Sequence, residues 1–366
     1  MNLTASPYDA LLLCSFGGPN RPEDVVPFLR NVVRGKGVPA KRLEQVGEHY
    51  YHFGGKSPIN GHNIALRDAL AAELTRRGVR LPVIWGNRNW HPYTVDALRD
   101  AHAFGARRIL VLLTSAYASY SSTRQYREHL AASLDELGPA GAGLGLDVVR
   151  PFFNDPGFIG ANITAIHDAG RRLSGGLDGA HIAYITHSIP ATTQQASAAT
   201  GPGYREQHED VRAVIDEALA EAGIATTSSL SYCSRSGSPH VPWLEPDIND
   251  HLQELAAAGA RKVVLCPIGF VSDHMEVVWD LDTEAAETAR ELGLEVARSA
   301  TAGTSGEFIS GLVDLILERA ARERGEQPAA PVLGRLGAFP DEAPPGSHRM
   351  RHGEVTGIPV IAGRAD

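Results

Sequence analysis

The chain has 366 residues, 43% of them hydrophobic and 21% charged, with a formal net charge of −9. That length predicts about two domains, and the acidic balance offers no basic field for nucleic acid or an anionic membrane surface. No run of 18 apolar residues occurs, and the opening MNLTASPYDA lacks the basic-then-apolar pattern of a secretory signal, so a cytoplasmic protein is expected.

Strand-like apolar runs alternate with helical patterns from end to end. In chain order the strands are expected at residues 9–16, 82–86, 107–114, 147–152, 182–187, 229–233, 262–267 and 294–299. Helical patterns fill the gaps, for example at 63–77, 93–104 and 209–222. This alternation implies βαβ units and mostly parallel sheets, an α/β fold. The strands fall into two sets of four, and the halves resemble each other. Gly105-Ala106-Arg107-Arg108-Ile109-Leu110-Val111-Leu112 lines up with Gly259-Ala260-Arg261-Lys262-Val263-Val264-Leu265-Cys266. A duplication is the economical account, giving one lobe over residues 8–152 and a second over 153–324. The last helix, about 305–324, is placed so that it can return to the first lobe. Residues 325–366 hold 6 Pro and 7 Gly without periodicity and are expected to form a poorly ordered tail. A ligand would bind between the lobes, beyond the carboxyl ends of the strands.

The chemistry-bearing residues lie at those strand ends. Phe16-Gly17-Gly18-Pro19 closes the first strand, either as a tight turn or to let backbone approach a ligand. No GxGxxG or GxxxxGK[ST] motif supports nucleotide binding. Tyr117 to Tyr126 after the third strand is a hydroxyl-rich loop, suited to holding carboxylates or to capping the next helix. Thr186-His187-Ser188-Ile189-Pro190 ends the fifth strand, placing His187 as a base, a metal ligand or a hydrogen-bonded residue of the cleft wall. No GxSxG or HExxH appears, which argues against a serine hydrolase and against a zincin. Cys14, Cys233 and Cys266 are far apart and sit in apolar contexts, as small buried hydrophobes do.

The most telling stretch follows the strand at 262–267. Asp273, His274 and Glu276 open a helix in which Asp280, Glu284, Glu287 and Glu291 recur at helical spacing on one face. Like charges at i,i+4 repel. Such a stripe is either a solvated face or a path for a divalent cation, and its position directly after a buried strand favours the path.

In combination these segments resemble the ferrochelatase family, the enzymes that insert Fe²⁺ into porphyrin. The resemblance runs from about residue 8 to about 319. Its motifs are Phe16-Gly17-Gly18-Pro19, Gly54-Gly55-Lys56-Ser57-Pro58-Ile59, the His187 segment, Ser234-Arg235 before Trp243-Leu244-Glu245-Pro246-Asp247, and Gly269 to Glu276. It implies two Rossmann-like, chelatase-type lobes, each with a mostly parallel four-stranded sheet flanked by helices. It further implies a metal-site pair of His187 and Glu276, an outward metal or proton route through Asp280 and Glu284, and a tetrapyrrole grip from Ser57, Tyr50 and Tyr126. Actinobacterial members, which this composition resembles, act on coproporphyrin III and pass coproheme to a decarboxylase. Protoporphyrin IX is the alternative substrate, and a cobalt- or nickel-inserting chelatase the alternative activity. Four propionates call for many donors, for which Tyr50, Ser57, Arg88, Ser122, Arg124 and Tyr126 are candidates. Departures are informative. Phe16 stands where bacilli-type members carry a tyrosine that ligates product iron, and their propionate arginines fall on Val33 and His49, beside Arg34. Residues 267–366 contain no cysteine, so no [2Fe-2S] cluster is expected. Nor is any cofactor expected beyond substrate Fe²⁺, and the chain is expected to be a monomer. The rival from another class, a two-lobed solute-binding protein, would call for the secretory signal that the opening residues lack.

Overall fold

The computed structural model describes residues 3–35, 37–199, 201–236, 240–344 and 346–348. Near-continuous apolar runs make the strands, as expected where a sheet is covered on both faces. The first sheet holds β1 (Ala10–Ser15), β2 (Val83–Asn87), β3 (Arg108–Leu113) and β4 (Gly145–Val148), and the second holds β5 (His181–His187), β6 (Thr227–Cys233), β7 (Lys262–Cys266) and β8 (Glu295–Arg298). Their orders are β2-β1-β3-β4 and β6-β5-β7-β8, the same permutation, and every pairing is parallel. The duplication in sequence is therefore a duplication in topology.

Side chains alternate along each strand, and the alternation divides the core. Leu11, Leu13, Leu110 and Leu112 of the first sheet share one cluster with Ile182, Tyr184 and Val264 of the second. Leu12, Cys14, Ile109 and Val111 face outward into a separate cluster, as Ala183, Ile185, Val263 and Leu265 do on the other sheet. The inner faces thus bury a common core, with Phe152, Phe153, Phe158 and Phe308 between them. The fourth strand begins two residues earlier than expected and ends at Val148, ahead of Pro151, which has no ladder donor. Phe152 and Phe153 turn into the shared core, and their N–H groups donate to Ala116 O at 2.9 and 3.1 Å.

The last helix, Gly306–Glu323, lies against first-lobe residues. Arg77 Nη2 donates to Ser310 Oγ at 2.6 Å, Arg319 pairs with Asp147 at 3.0 Å, and buried Arg150 grips Glu318 at 2.9 and 3.2 Å. After β1, an excursion through helices Val25–Val32 and Ala40–His52 crosses the other way. Phe28, Leu43 and Tyr50 from it pack on Met275 of the second lobe.

Residues 325–344 and 346–348 correct the expectation of a poorly ordered tail. Pro and Gly forbid periodic structure there, but irregular backbone is still ordered when its polar groups find partners. Leu333 N–H donates to Asn154 O at 2.9 Å, Asn154 Nδ2 to Gly337 O at 2.7 Å, and Arg335 N–H to Asp210 Oδ1 at 2.9 Å. Phe339 is 9% exposed and meets Phe153 edge-on at 5.0 Å. Asp341 pairs with Arg322 at 2.6 Å, and its carbonyl accepts from Arg127 at 3.0 Å. The remainder of the expected tail, residue 345 and residues 349–366, lies outside the described residues. Phe339→Ala should therefore lower unfolding free energy by about 3 kcal/mol, the low end for a buried phenylalanine, measured by urea denaturation; an unchanged midpoint would return this segment to the tail class.

Candidate active site

The carboxyl ends of both sheets meet across a cleft that is bridged on two sides. On one, the fully buried Gln207 carboxamide accepts from Ala118 N–H at 2.8 Å and donates to Ala118 O at 2.9 Å, tying the loop after β3 to helix Tyr204–Glu221. On the other, Trp279 of the second lobe is wrapped by first-lobe rings. His49 stacks on it at 4.1 Å, with His52 and Phe53 edge-on at 5.5 and 6.4 Å.

His187 ends β5 inside this cleft. Its Nδ1 lies 2.5 Å from Ser188 O. A carbonyl only accepts, so Nδ1 carries the hydrogen, and the neutral ring presents its lone pair at Nε2. That Nε2 stands 3.6 Å from Glu276 Oε2. Tyr204 Oη supports the strand end, 2.6 Å from Thr186 Oγ1 and donating to His187 O at 3.2 Å. Glu276 arrives because β7 is followed by a tight approach at Gly269, where a Cβ would fall 2.1 Å from Thr186 Oγ1. Short helix Met275–Trp279 then begins with Met275 buried in the excursion and Glu276 facing the opening.

The pair sets its own protonation. Burial alone would lower the His187 pKa, but the Glu276 carboxylate outweighs it and raises the value above the usual histidine range. Burial works to raise Glu276, yet His187, His274 and His49 hold it down to about 2. Half of the Glu276 side chain is open to cleft water, so screening keeps the pair's contribution to stability small. Asp280, one turn on, behaves oppositely. Burial, with Glu276 and Glu284 adding negative charge, pushes it up to about 7 against the donated hydrogen bond of Ser234 Oγ. Ser234 holds that place with a left-handed φ of 60°.

The acidic stripe is not one α-helix. A π-helical turn, Asp280–Ala285, interrupts it. At 3.6 residues per turn, four residues overshoot a full turn by about 40°; the wider i→i+5 turn takes that drift back. Glu276, Asp280 and Glu284 thus stay on one line, and Glu284 accepts from Trp279 Nε1 at 2.8 Å. Beyond that turn the expected stripe gives way to solvated surface. Glu287 and Glu291 are exposed, and Glu287 lies 3.6 Å from exposed Arg290.

The remaining expected residues divide. Tyr50 is buried against Phe28 and Met275, and burial followed by the Glu276 charge raises its phenol pKa. Ser57 is 2% exposed beneath the Phe16–Pro19 turn, its Oγ 3.5 Å from Ile59 N–H. Tyr126 is buried in the outer core of the first lobe, with the Arg88 guanidinium over its ring. Ser122 Oγ donates to Tyr117 O at 2.6 Å, and Arg124 is buried and paired with Glu128 at 2.8 Å. No contact joins Ser57 or Tyr126 to His187 and Glu276 among the described residues. Sequence reasoning missed the supports. Asn60, Asn63 and Asn87 are buried and brace the strand ends, with Asn60 donating to Gly18 O and Asn63 to Ser15 Oγ, each at 2.7 Å. Three asparagines at strand and helix ends were their only signal. His49 and Trp279 carried none, since their partnership crosses the lobes.

A raised folded-state pKa means His187 adds stability below the ordinary histidine range and loses it as pH rises through the raised value. Glu276→Gln removes the raising partner and leaves burial, which lowers. In the variant His187 should titrate below its wild-type value in a histidine NMR titration, and the variant's stability deficit should be larger near about pH 5 than about pH 9. An unmoved His187 titration would show that the two side chains are not coupled.

Residues 8–320 match the family described as Ferrochelatase. Among relatives, "Coproporphyrin III ferrochelatase" of Streptomyces coelicolor is 53% identical over 352 residues, covering 94% of this chain and 94% of its own length. The protein of the same name from Streptomyces griseus subsp. griseus is 52% identical over 349 residues, covering 93% of each. In fold, the chain is similar to SirB from Bacillus subtilis with Fe³⁺, with a TM-score of 0.51, 13% identity, and coverage of 86% of this chain and 97% of that one. With a two-lobed chelatase fold, a match over nearly all of both sheets and relatives above half identity, the chain belongs to the ferrochelatase family.

Proposed function

We propose that this protein inserts ferrous iron into coproporphyrin III, giving coproheme, with His187 and Glu276 as the residues that meet the metal. The single observation carrying the reading is His187 Nε2 facing Glu276 Oε2 at 3.6 Å, both delivered by the carboxyl ends of strands in the second sheet. Two acceptors so placed repel unless a cation or proton lies between them. At first-row metal bond lengths of about 2.1 Å, both can bind one ion with an angle of roughly 120°. The names of relatives near half identity, matched over nearly their full length, support coproporphyrin III as the porphyrin.

Insertion needs three things: a bent ring, two pyrrole protons removed, and water stripped from Fe²⁺. Bending is the task of a cleft more complementary to the distorted ring than to the flat one. The protonation pattern divides the other two. Glu276, held near 2, keeps its charge and is a poor proton acceptor, so it anchors the cation. His187, whose pKa is raised, and Asp280, near 7, are the groups that exchange protons. Asp280 and Glu284 then form the outward line along which protons leave or Fe²⁺ enters. No helix among the described residues is long and apolar enough to cross a membrane.

Coproporphyrin III with anaerobic Fe²⁺ should give the absorption spectrum of coproheme without nucleotide, and faster at saturation than protoporphyrin IX does; a preference for protoporphyrin would overturn the substrate. His187→Ala and Glu276→Gln should each lower turnover by roughly 10² or more, the scale for losing a proton-transfer or ligand group, while porphyrin affinity changes little. Because Asp280 gains its proton as pH falls through about 7, kcat/KM for Fe²⁺ should decline on that acid limb. Asp280→Asn with Glu284→Gln should flatten the limb and raise KM for Fe²⁺ without raising KM for porphyrin. Kinetics indifferent to the double substitution would make the stripe a solvated face.

A further inference from the structure

Arg88 follows β2 at the carboxyl edge of the first sheet, with its N–H donating to Ser15 O at 2.8 Å. Its guanidinium is held between two rings, 5.4 Å from the centroid of Phe16 and 5.0 Å from that of Tyr126. Neighbouring arginines are matched with acceptors: Arg124 with Glu128 at 2.8 Å, Arg127 with Asp341 O at 3.0 Å. Among the described residues no carboxylate pairs with Arg88. The group beside it is no anion either, since burial and then the Arg88 charge push His129 down to about 4, leaving a neutral imidazole. Two aromatic faces fix the guanidinium plane and leave its edge, where the donors are, uncommitted. A planar cation so fixed and so unpaired is a cradle for a carboxylate, which it can grip with two parallel bonds.

Of the two rings that hold it, Phe16 is open at the carboxyl end of the first sheet and Tyr126 is buried beneath the guanidinium in the outer core. Phe16 follows β1 and is 38% exposed, and Tyr126 follows the loop after β3. The chemistry of the two porphyrins then matters. Protoporphyrin IX carries both propionates on adjacent pyrroles, so the ring can turn both outward to water and present an apolar edge inward. Coproporphyrin III carries one propionate on each pyrrole. However that ring is turned, at least one carboxylate points inward, where it is costly to bury without a partner.

We propose that Arg88 is the specificity-determining residue that receives the inward propionate of a four-carboxylate porphyrin, an inference that rests on the coproporphyrin reading above. The same side chain disfavours a two-carboxylate ring, whose apolar edge would cover the guanidinium and leave its donors unpaired.

The test uses the full chain and two ligands, coproporphyrin III and deuteroporphyrin IX, the latter having two propionates. Binding is followed by porphyrin fluorescence in the absence of metal, and turnover separately with Fe²⁺. Arg88→Met keeps an unbranched chain between the two rings and removes the fork. It should weaken coproporphyrin III binding roughly tenfold to a hundredfold, the scale for losing a charged hydrogen-bond partner. Deuteroporphyrin should lose less, or bind more tightly. Arg88→Lys, which restores charge without the fork, should recover part of the coproporphyrin affinity. An equal loss on both porphyrins, or none on either, overturns the role of Arg88. Failure of wild-type protein to bind or metallate coproporphyrin III overturns the substrate reading itself, and the metal-free titration keeps the two failures apart.

Discussion

Gln207 is fully buried, and both ends of its carboxamide are bound to the peptide of a single residue on the other lobe, Ala118. A buried amide left unpaired costs more than the bond contributes when made, so the two lobes cannot part at this point without exposing it to water or stranding it. Beside it Tyr117 stacks on His208 at 3.6 Å. Together with the inner core shared by both sheets, this makes the base of the cleft a fixed joint. His187, on the strand next to that joint, inherits its position from it through Tyr204, whose helix also carries Gln207.

The opposite wall is built differently. Helix Ala40–His52 meets helix Met275–Trp279 through stacked rings and an apolar cluster. Ring stacks and apolar contacts hold this side, in place of a hydrogen-bonded clasp. Glu276 and Glu284 lie on this side, one beside Met275 and the other bonded to Trp279. His187 and Glu276 both come from the second lobe, His187 beside the Gln207 clasp and Glu276 beside the ring contacts, and they meet at 3.6 Å.

How much of this the sequence disclosed follows from the range of each interaction. The strands, their two sets of four and the placement of His187 and Glu276 at strand ends depend on local periodicity and on apolar runs, which a reader of the chain can see. The ordering of 325–344 depends on Asp210, Asn154 and Arg127, each more than a hundred residues away, and no local pattern announces it. The π-turn at Asp280–Ala285 likewise escaped the i,i+4 reading, because its sequence is compatible with an ordinary helix. The family resemblance implies Ser57 and Tyr126 as residues of the grip. In this structure both are covered, by the glycine turn and by Arg88 respectively, and the cation above Tyr126 is the more open of the two groups.

The charges of the cleft explain why its acids can be crowded at all. Three carboxylates on one line would repel one another if all were ionised. Glu276 is kept charged by three imidazoles, and Asp280 escapes the repulsion by holding a proton up to about 7. Glu284 stands furthest out, where water screens it and the indole N–H of Trp279 satisfies one oxygen. The line therefore runs from an ionised inner acid, through one that is half protonated near neutrality, to a solvated outer one.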